Sequence, residues 1–334
     1  MLLSQDIVLF YRLVISFFLT CFLYSSVLFG AELYGAIEIG GKGIKTYIFE
    51  QEGKELSLKY RDSINASVQQ GIENRHMKQE MIDTTGMHIF NAYQKLRQEY
   101  AIIDSHIFIV ASSAINKIDN KPSLKNYIFD LTRHVLYFID EQEESTYGFY
   151  GAVPASQWSN ALMMDIGGGN TKLAWLGTKD SIEFLEIPLG TVSLTQAIEH
   201  LNSKETFQKK ASMVIQPELP RLKVIPNKEL LYTSGGIFWA TAYLKTKGQL
   251  NTFTPLDTSD FQTLIRQFIP INDTPCNDTT TPSCYLLQFY GAHNLIAGAI
   301  LADTIIQTSH FDSKSIYFSK DGIWMIGWLR KNLY

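Results

Sequence analysis

Short apolar runs broken by glycine open both halves of this chain, and each run has strand length. From Leu33 the pattern reads as a strand, a glycine turn, a second strand, a turn at Glu52-Gly53 and a third strand. Met81, Ile82, Ile89, Phe90, Tyr93 and Leu96 recur at helical spacing and predict a helix over 79–100. Ile107–Ala111 predicts a short buried strand ending in Ser112-Ser113, a helix begins near Pro122, and Val135–Ile139 predicts another strand. Residues 142–152 predict a helix with an acidic first turn, which suits the helix dipole. The theme then returns. Ala161–Leu176 predicts a hairpin, and Ile182–Ile187 a strand leading into Pro188-Leu189-Gly190. Leu230–Thr233 predicts a strand running into Ser234-Gly235-Gly236 and a helix. An apolar helix is expected over 285–308, a strand at Ile316–Ser319 and a last helix at 322–332. Hairpins followed by alternating helices and strands, twice over, predict two α/β domains with mixed sheets and a ligand cleft between them.

The two glycine turns are copies of one segment. Residues 37–46 read I-E-I-G-G-K-G-I-K-T and residues 164–173 read M-D-I-G-G-G-N-T-K-L. Each has an acid (Glu38, Asp165), an Ile, two glycines (Gly40-Gly41, Gly167-Gly168), three variable residues and a lysine (Lys45, Lys172). Glycine lets the backbone turn tightly and lets a ligand approach the main chain. Successive N–H groups in such a turn form a concavity suited to phosphate. One copy would read as an ordinary hairpin. Two copies in the same register predict a phosphate chain gripped from both sides.

Composition narrows the partners. At 334 residues the chain has the length of about two domains. Its 46% hydrophobic and 19% charged residues describe a globular protein. A net charge of −4 and the lack of a basic run exclude a nucleic-acid partner. Residues 13–29 carry no charge, follow Arg12 and precede Gly30-Ala31-Glu32. They read as a signal peptide over 1–31, with an uncleaved membrane anchor as the rival and a buried core helix as the plain alternative. Both membrane readings place the rest of the chain outside the cytoplasm. Cys276 and Cys284 bracket a polar loop, while Cys21 lies in the apolar run. They are expected to pair in an oxidising compartment, two unrelated thiols being the alternative.

The ordered motifs from about residue 34 to 330 resemble the exopolyphosphatase/guanosine pentaphosphate phosphohydrolase (Ppx/GppA) family. Asp165-Ile166-Gly167-Gly168-Gly169-Asn170-Thr171-Lys172-Leu173 is similar to its second phosphate motif, typically D-I-G-G-G-S-T-E-L. Residues 36–45 resemble its first motif, and Ala111-Ser112-Ser113-Ala114, followed by Asn120, resembles its A-T-S-A segment. Glu143-Glu144 with Gly151 resembles its E-E-A helix, Pro188-Leu189-Gly190 its P-L-G turn, and Ser234-Gly235-Gly236 its later glycine loop.

The resemblance implies two RNase H-like, actin-like ATPase domains over residues 32–152 and 153–334. It implies a catalytic Glu144, with Glu143 as runner-up, and Mg²⁺ held by Asp165 and Glu38. Phosphate contacts are expected at Gly40, Gly41, Lys42, Lys45, Gly167, Gly168, Gly169, Asn170, Lys172, Ser234, Gly235 and Gly236. The implied activity is hydrolysis of terminal phosphoanhydride bonds in a polyphosphate-like substrate, by a chain that could act as a homodimer. The departures set the alternative, a degenerate relative that binds an anion or a partner protein without turnover. Glu38 replaces the first-motif Asp, Lys42 an Asn and Lys45 an Arg. Asn116 and Ser193 stand where arginines are expected, and Gly322-Ile323-Trp324-Met325 replaces the family's G-L-R-E-G. Lys172 stands where the family has a second catalytic Glu. Lys172 is either a lesion that disables hydrolysis or a phosphate contact paired with Lys45; a solvent-facing lysine is the plain alternative.

Overall fold

A computed structural model describes residues 31–53, 55–178, 181–269 and 281–333. The apolar N-terminal segment, Cys21 and Cys276 lie outside the described residues, so the expected export segment and Cys276–Cys284 pairing are not addressed by it.

Two mixed sheets share one topology. In the first, β1 (Glu32–Ile39), β2 (Gly43–Glu52) and β3 (Glu55–Asn65) form an antiparallel meander. A two-strand ribbon, β4 (Ile72–Glu73) and β5 (His76–Met77), leads to helix α1 (Gln79–Gln98). β6 (Ile107–Ala111) then adds parallel to β1. The short helix α2 (Ser113–Asn116) and α3 (Lys121–Thr132) precede β7 (Leu136–Phe138), giving the order β3-β2-β1-β6-β7. α4 (Glu141–Ala152) connects to the second sheet.

That sheet begins with the meander β8 (Ala161–Ile166), β9 (Thr171–Leu176) and β10 (Ile182–Ile187). α5 (Thr191–His200) and α6 (Phe207–Ile215) follow. β11 (Leu230–Gly235) pairs parallel to β8, and α7 (Gly236–Lys245) follows it directly. β12 (Phe253–Leu256), α8 (Thr258–Phe268), α9 (Pro282–Tyr290), α10 (Ala292–Thr308), β13 (Ser315–Ser319) and α11 (Trp324–Leu333) complete the chain. The order is β10-β9-β8-β11-β13-β12. The repeat in sequence is therefore a repeat of fold: each half starts with a three-strand meander whose first strand receives a parallel neighbour.

Each sheet is covered on both faces, as its near-continuous apolar strands require. Ile37, Ile39, Ile44, Ile48 and Ile109 pack with Ile82, Ile89, Leu124 and Ile128 of α1 and α3. The opposite face carries Ala36, Tyr47, Phe49 and Val110 against Trp324, Met325 and Trp328 of α11. In the second sheet Leu162, Met164, Leu173 and Leu231 face Phe238, Phe261 and Leu301 of α7, α8 and α10. Ala161, Met163, Ala174 and Tyr232 face Phe149 and Ala152 of α4. α4 and α11 thus lie between the sheets, and the last helix of the chain completes the first sheet's core. Glycines let these two helices touch: a Cβ on Gly327 would lie 2.2 Å from the Tyr147 carbonyl oxygen, and one on Gly151 2.5 Å from that of Ile323.

The expected single helix over 285–308 is two. α9 and α10 meet at 95° across Gly291, whose φ of +76° glycine adopts without strain. Residues 191–225 and 253–268 carry helices and a strand that the pattern did not single out. Among the described residues no single helix is long and apolar enough to cross a membrane.

Candidate active site

The two glycine turns have the same internal geometry. Gly40 N–H donates to the Gly43 carbonyl at 2.9 Å, and Gly167 N–H to the Asn170 carbonyl at 2.9 Å. Each turn is braced by the segment beside it. Ser67 and Gln69 N–H groups bond the Lys42 and Gly41 carbonyls. Thr191, Val192 and Ser193 N–H groups, at the start of α5, bond those of Gly167 and Gly168. The α5 N-terminus is therefore spent on the second turn. Gly190 must be glycine here, since a Cβ would lie 2.5 Å from the Gly167 oxygen. Among the described residues the N–H groups of Gly41, Lys42, Gly168 and Gly169 donate to no other protein group. They are the main-chain donors left for an anion.

The acids converge beside these turns, each in a different state. Glu38 is 2% exposed, and both its oxygens are engaged. Oε1 accepts from Lys45 Nζ at 2.6 Å and Oε2 from the Tyr47 hydroxyl at 2.7 Å. Burial, then the Glu38 charge, push the Tyr47 phenol well above its usual range. Glu144 lies in the first turn of α4 and is 9% exposed. Its Oε1 is 2.8 Å from Lys172 Nζ, and its Oε2 accepts from the Ser113 N–H at 2.8 Å. It is thus held from both domains. Burial alone would raise this carboxyl, but Lys172 and the hydrogen bonds from Lys172 and Ser113 hold it below the usual carboxylate range. Lys172 is itself 5% exposed.

Asp165 is the exception. Among the described residues its carboxylate has no hydrogen-bond partner. Burial pushes its carboxyl upward; Lys172 and Lys45 oppose that rise, and Glu144 and Glu38 reinforce it. Both lysines and the other two acids are thus close enough for their charges to act on Asp165. Glu143 does not join it. Its side chain accepts from Asp140 N–H while Asp140 accepts from Glu143 N–H, a reciprocal cap that anchors α4.

Around this centre, Gly235 has φ +96°, and a Cβ there would lie 2.6 Å from Asp165 Oδ1. Ser234 pairs in register with Asp165 across β11 and β8. A Cβ on Gly236 would meet the Tyr290 ring at 2.8 Å. Lys42 reaches from the first turn to the rings of Tyr290 and Phe289, at 5.0 and 5.5 Å from their centres. This cation–π contact ties the two domains together. Asn170 donates to Glu186 at 2.9 Å rather than projecting freely. Ser193, in place of an expected Arg, donates to the Gly169 carbonyl and accepts from Gly190 N–H. Asn120 holds the Met77 backbone.

Sequence reasoning missed Arg61, Tyr47 and Tyr290. Arg61 lies on β3 opposite Tyr47, 5.9 Å from its ring, in the field of Glu38 and Asp165. It restores an arginine to a cleft that lacks the family's usual ones. The signal was available: Lys45, Tyr47 and Arg61 lie on the Glu38 face once the β1–β2–β3 register is known.

These residues do not fit a dedicated divalent-metal site. Glu38 and Glu144 have no free oxygen, and Asp165 is a single carboxylate facing Lys172 as its cross-strand partner. Among the described residues no three His, Cys, Asp or Glu side chains are grouped to hold a metal ion. A divalent ion about 5 Å from an ammonium would be repelled by roughly 7 kcal/mol at an effective dielectric near 20.

Comparison with known proteins sets this geometry in a family. The model of the Ppx/GppA phosphatase family matches residues 47–273. The chain belongs to the Ppx/GppA phosphatase family. Its fold is that of the crystal structure of the Ppx/GppA family member from Aquifex aeolicus, with a TM-score of 0.71 at 17% identity, covering 91% of this chain and 98% of that one. An exopolyphosphatase from Cytophaga hutchinsonii matches with a TM-score of 0.69 at 19% identity, over 87% and 96% of the two chains. Family and fold confirm two actin-like domains.

Among curated relatives, the bifunctional 3-dehydroquinate synthase/phosphatase of Fusobacterium nucleatum is 27% identical over 182 residues, 52% of this chain and 27% of that protein. Retrograde regulation protein 2 of Saccharomyces cerevisiae is 19% identical over 189 residues, 53% of this chain and 32% of that protein. The chain spans about a quarter to a third of the length of these relatives.

Proposed function

We propose that this Ppx/GppA family protein hydrolyses the terminal phosphoanhydride bond of a polyphosphate-like chain outside the cytoplasm. The observation that carries the reading is Glu144, held from both domains beside the two glycine turns. The terminal phosphoryl group lies between the turns and accepts from the N–H groups of Gly41, Lys42, Gly168 and Gly169. Lys45, Lys42 and Arg61 offset its charge. A water oxygen attacks phosphorus, its proton passes to Glu144, and the bridging P–O bond breaks. Orthophosphate and a shortened chain leave. A carboxylate oxygen accepts more than one hydrogen bond, so the water bonds Glu144 while the 2.8 Å ion pair with Lys172 stays closed. The export signal or anchor read in residues 13–29 gives the location.

Phosphate release from polyphosphate by wild type and by Glu144→Gln tests the proposal. General-base removal costs roughly 10²–10⁴-fold. Equal rates in both proteins would reject Glu144 as the base, and no release by wild type would reject the activity.

A second reading is favoured by one observation: both Glu144 oxygens are already engaged. It is a protein that binds a phosphoanhydride anion without turnover. Saturable binding of polyphosphate with no phosphate release identifies it.

A further inference from the structure

We infer that a lysine ammonium stands in for the divalent cation in this cleft, so that the protein holds no resident metal there. The inference rests on reading the cleft as a phosphoanhydride site. It departs from the Mg²⁺ dependence that the family resemblance implies.

Lys45 is the cross-strand partner of Glu38, and Lys172 that of Asp165. Directly opposed side chains share one face of a sheet, so each lysine projects on the side of its acid. In the first turn the ammonium binds that acid, Lys45 to Glu38 at 2.6 Å. In the second it turns instead to Glu144 of α4, at 2.8 Å, and Asp165 has no hydrogen-bond partner among the described residues. The ammonium of Lys172 is the largest charge acting on Asp165. It therefore holds Glu144 on the face of the hairpin that carries Asp165, where a cation shared by the two carboxylates would be placed.

The position is not easily vacated for a metal. Lys172 is 5% exposed, and among the described residues its one ionic partner is Glu144. Glu144 rides on α4, which is locked to α11 by the close approach of Gly151 and Gly327 to opposing carbonyls. Mg²⁺ requires near-octahedral oxygen ligation at about 2.0–2.1 Å and keeps several waters. On the Asp165 face of the hairpin an ammonium already holds Glu144 Oε1, so a Mg²⁺ there would sit against a built-in positive charge. An ammonium offers three donors and a fixed single charge, and no open coordination position. Meanwhile Lys42, Lys45 and Arg61 remain accessible at the first turn and supply ligand-facing charge. The cleft thus has its positive charge built in on both sides: an internal charge at Lys172 and contact charges at Lys42, Lys45 and Arg61.

Two measurements on the full chain test this, and neither reads turnover. The first is Mn²⁺ titration followed by electron paramagnetic resonance. Wild type is expected to bind no Mn²⁺ below about millimolar concentration, whereas Lys172→Met, which frees Glu144 Oε1 and removes the positive charge facing Asp165, should gain a site tighter by about tenfold or more. A sub-millimolar site in wild type that disappears in Asp165→Asn would overturn the inference. The wild-type titration decides the matter even if Lys172→Met does not fold. The second is calorimetric binding of tripolyphosphate in EDTA and in Mg²⁺. Affinities within about twofold of each other support the inference, and weakening by about tenfold or more in EDTA overturns it. If tripolyphosphate binds in neither buffer, the phosphoanhydride reading fails, and the Mn²⁺ titration still decides for or against a resident metal.

Discussion

Lys172 Nζ lies 2.8 Å from Glu144 Oε1, so the lysine of the second glycine turn neutralises the acid on the connecting helix rather than the acid across its own hairpin. In the first turn Lys45 takes the local partner, Glu38, at 2.6 Å. Glu38 is one methylene longer than Asp165 and reaches its cross-strand lysine. The same motif therefore yields two different charge states, one closed within the hairpin and one closed between domains.

Breaking the buried pair from one side should be costly. Lys172→Met leaves Glu144 without its countercharge, and removing one partner of a buried pair typically costs about 3–5 kcal/mol. The double variant Glu144→Gln/Lys172→Met should recover much of that loss. Chemical denaturation of both single variants and the double variant measures the coupling. A coupling near zero would show that the pair contributes no specific stability.

The carboxyl of Glu144 is held low in the folded protein, so its sign is that of a stabilising acid. Its contribution is fully present above the unfolded-state pKa of about 4.3 and is lost as pH falls through the lower folded value. Wild type should lose thermal stability faster than Glu144→Gln as the pH drops below about 4. Parallel melting curves across that range would contradict the assignment.

Asp165 carries the opposite sign. Its folded carboxyl is raised, so stability is present below the unfolded pKa of about 3.9 and declines as pH rises through the folded value. Asp165→Asn should be more stable than wild type at neutral pH, by about 0.5–2 kcal/mol, while hydrolysis falls. The stability gain should vanish near pH 3. Melting temperatures of the two proteins at both pH values check this.

Gly235→Ala should damage both fold and site. The residue has φ +96°, and the added Cβ would lie 2.4 Å from the Ile166 carbonyl oxygen and 2.6 Å from Asp165 Oδ1. Backbone strain of this kind costs roughly 1–3 kcal/mol, before the displacement of Asp165 is counted. Gly169→Ala meets no atom within 4 Å and serves as the control. Loss of stability in the first and not the second is the expected result of a denaturation series.

Export and pairing of Cys276 with Cys284 are proposals of the sequence, and one preparation tests both. Fractionation should recover the protein outside the cytoplasm or on the outer membrane face. Non-reducing peptide mapping should find the two cysteines linked. A cytoplasmic protein with free thiols would remove the basis for the proposed location.

Much of the fold was legible because local rules agreed with the global one. Ile107–Ala111 and Ile182–Ile187 are strands with those bounds, and the helix expected over 79–100 runs over Gln79–Gln98. The stretch 285–308 was misread because its small apolar residues suit a continuous helix, while one positive φ at Gly291 breaks it. Composition does not report that angle.

The sequence by itself determined the repeat: two acids, two glycine turns and two lysines at equal spacing fold into two turns with the same internal hydrogen bond. Spacing fixes this because hairpin register and glycine turns are local properties. Only the tertiary structure decided what the charges do. α4, packed between the sheets by glycine contacts with α11, brings Glu144 to Lys172, leaves Asp165 unpaired among the described residues and commits Glu143 to a helix cap. Three carboxylates that look alike in sequence become an ion-paired acid, an acid whose carboxyl is raised by burial and a cap, because burial and countercharge are set by neighbours far apart in the chain.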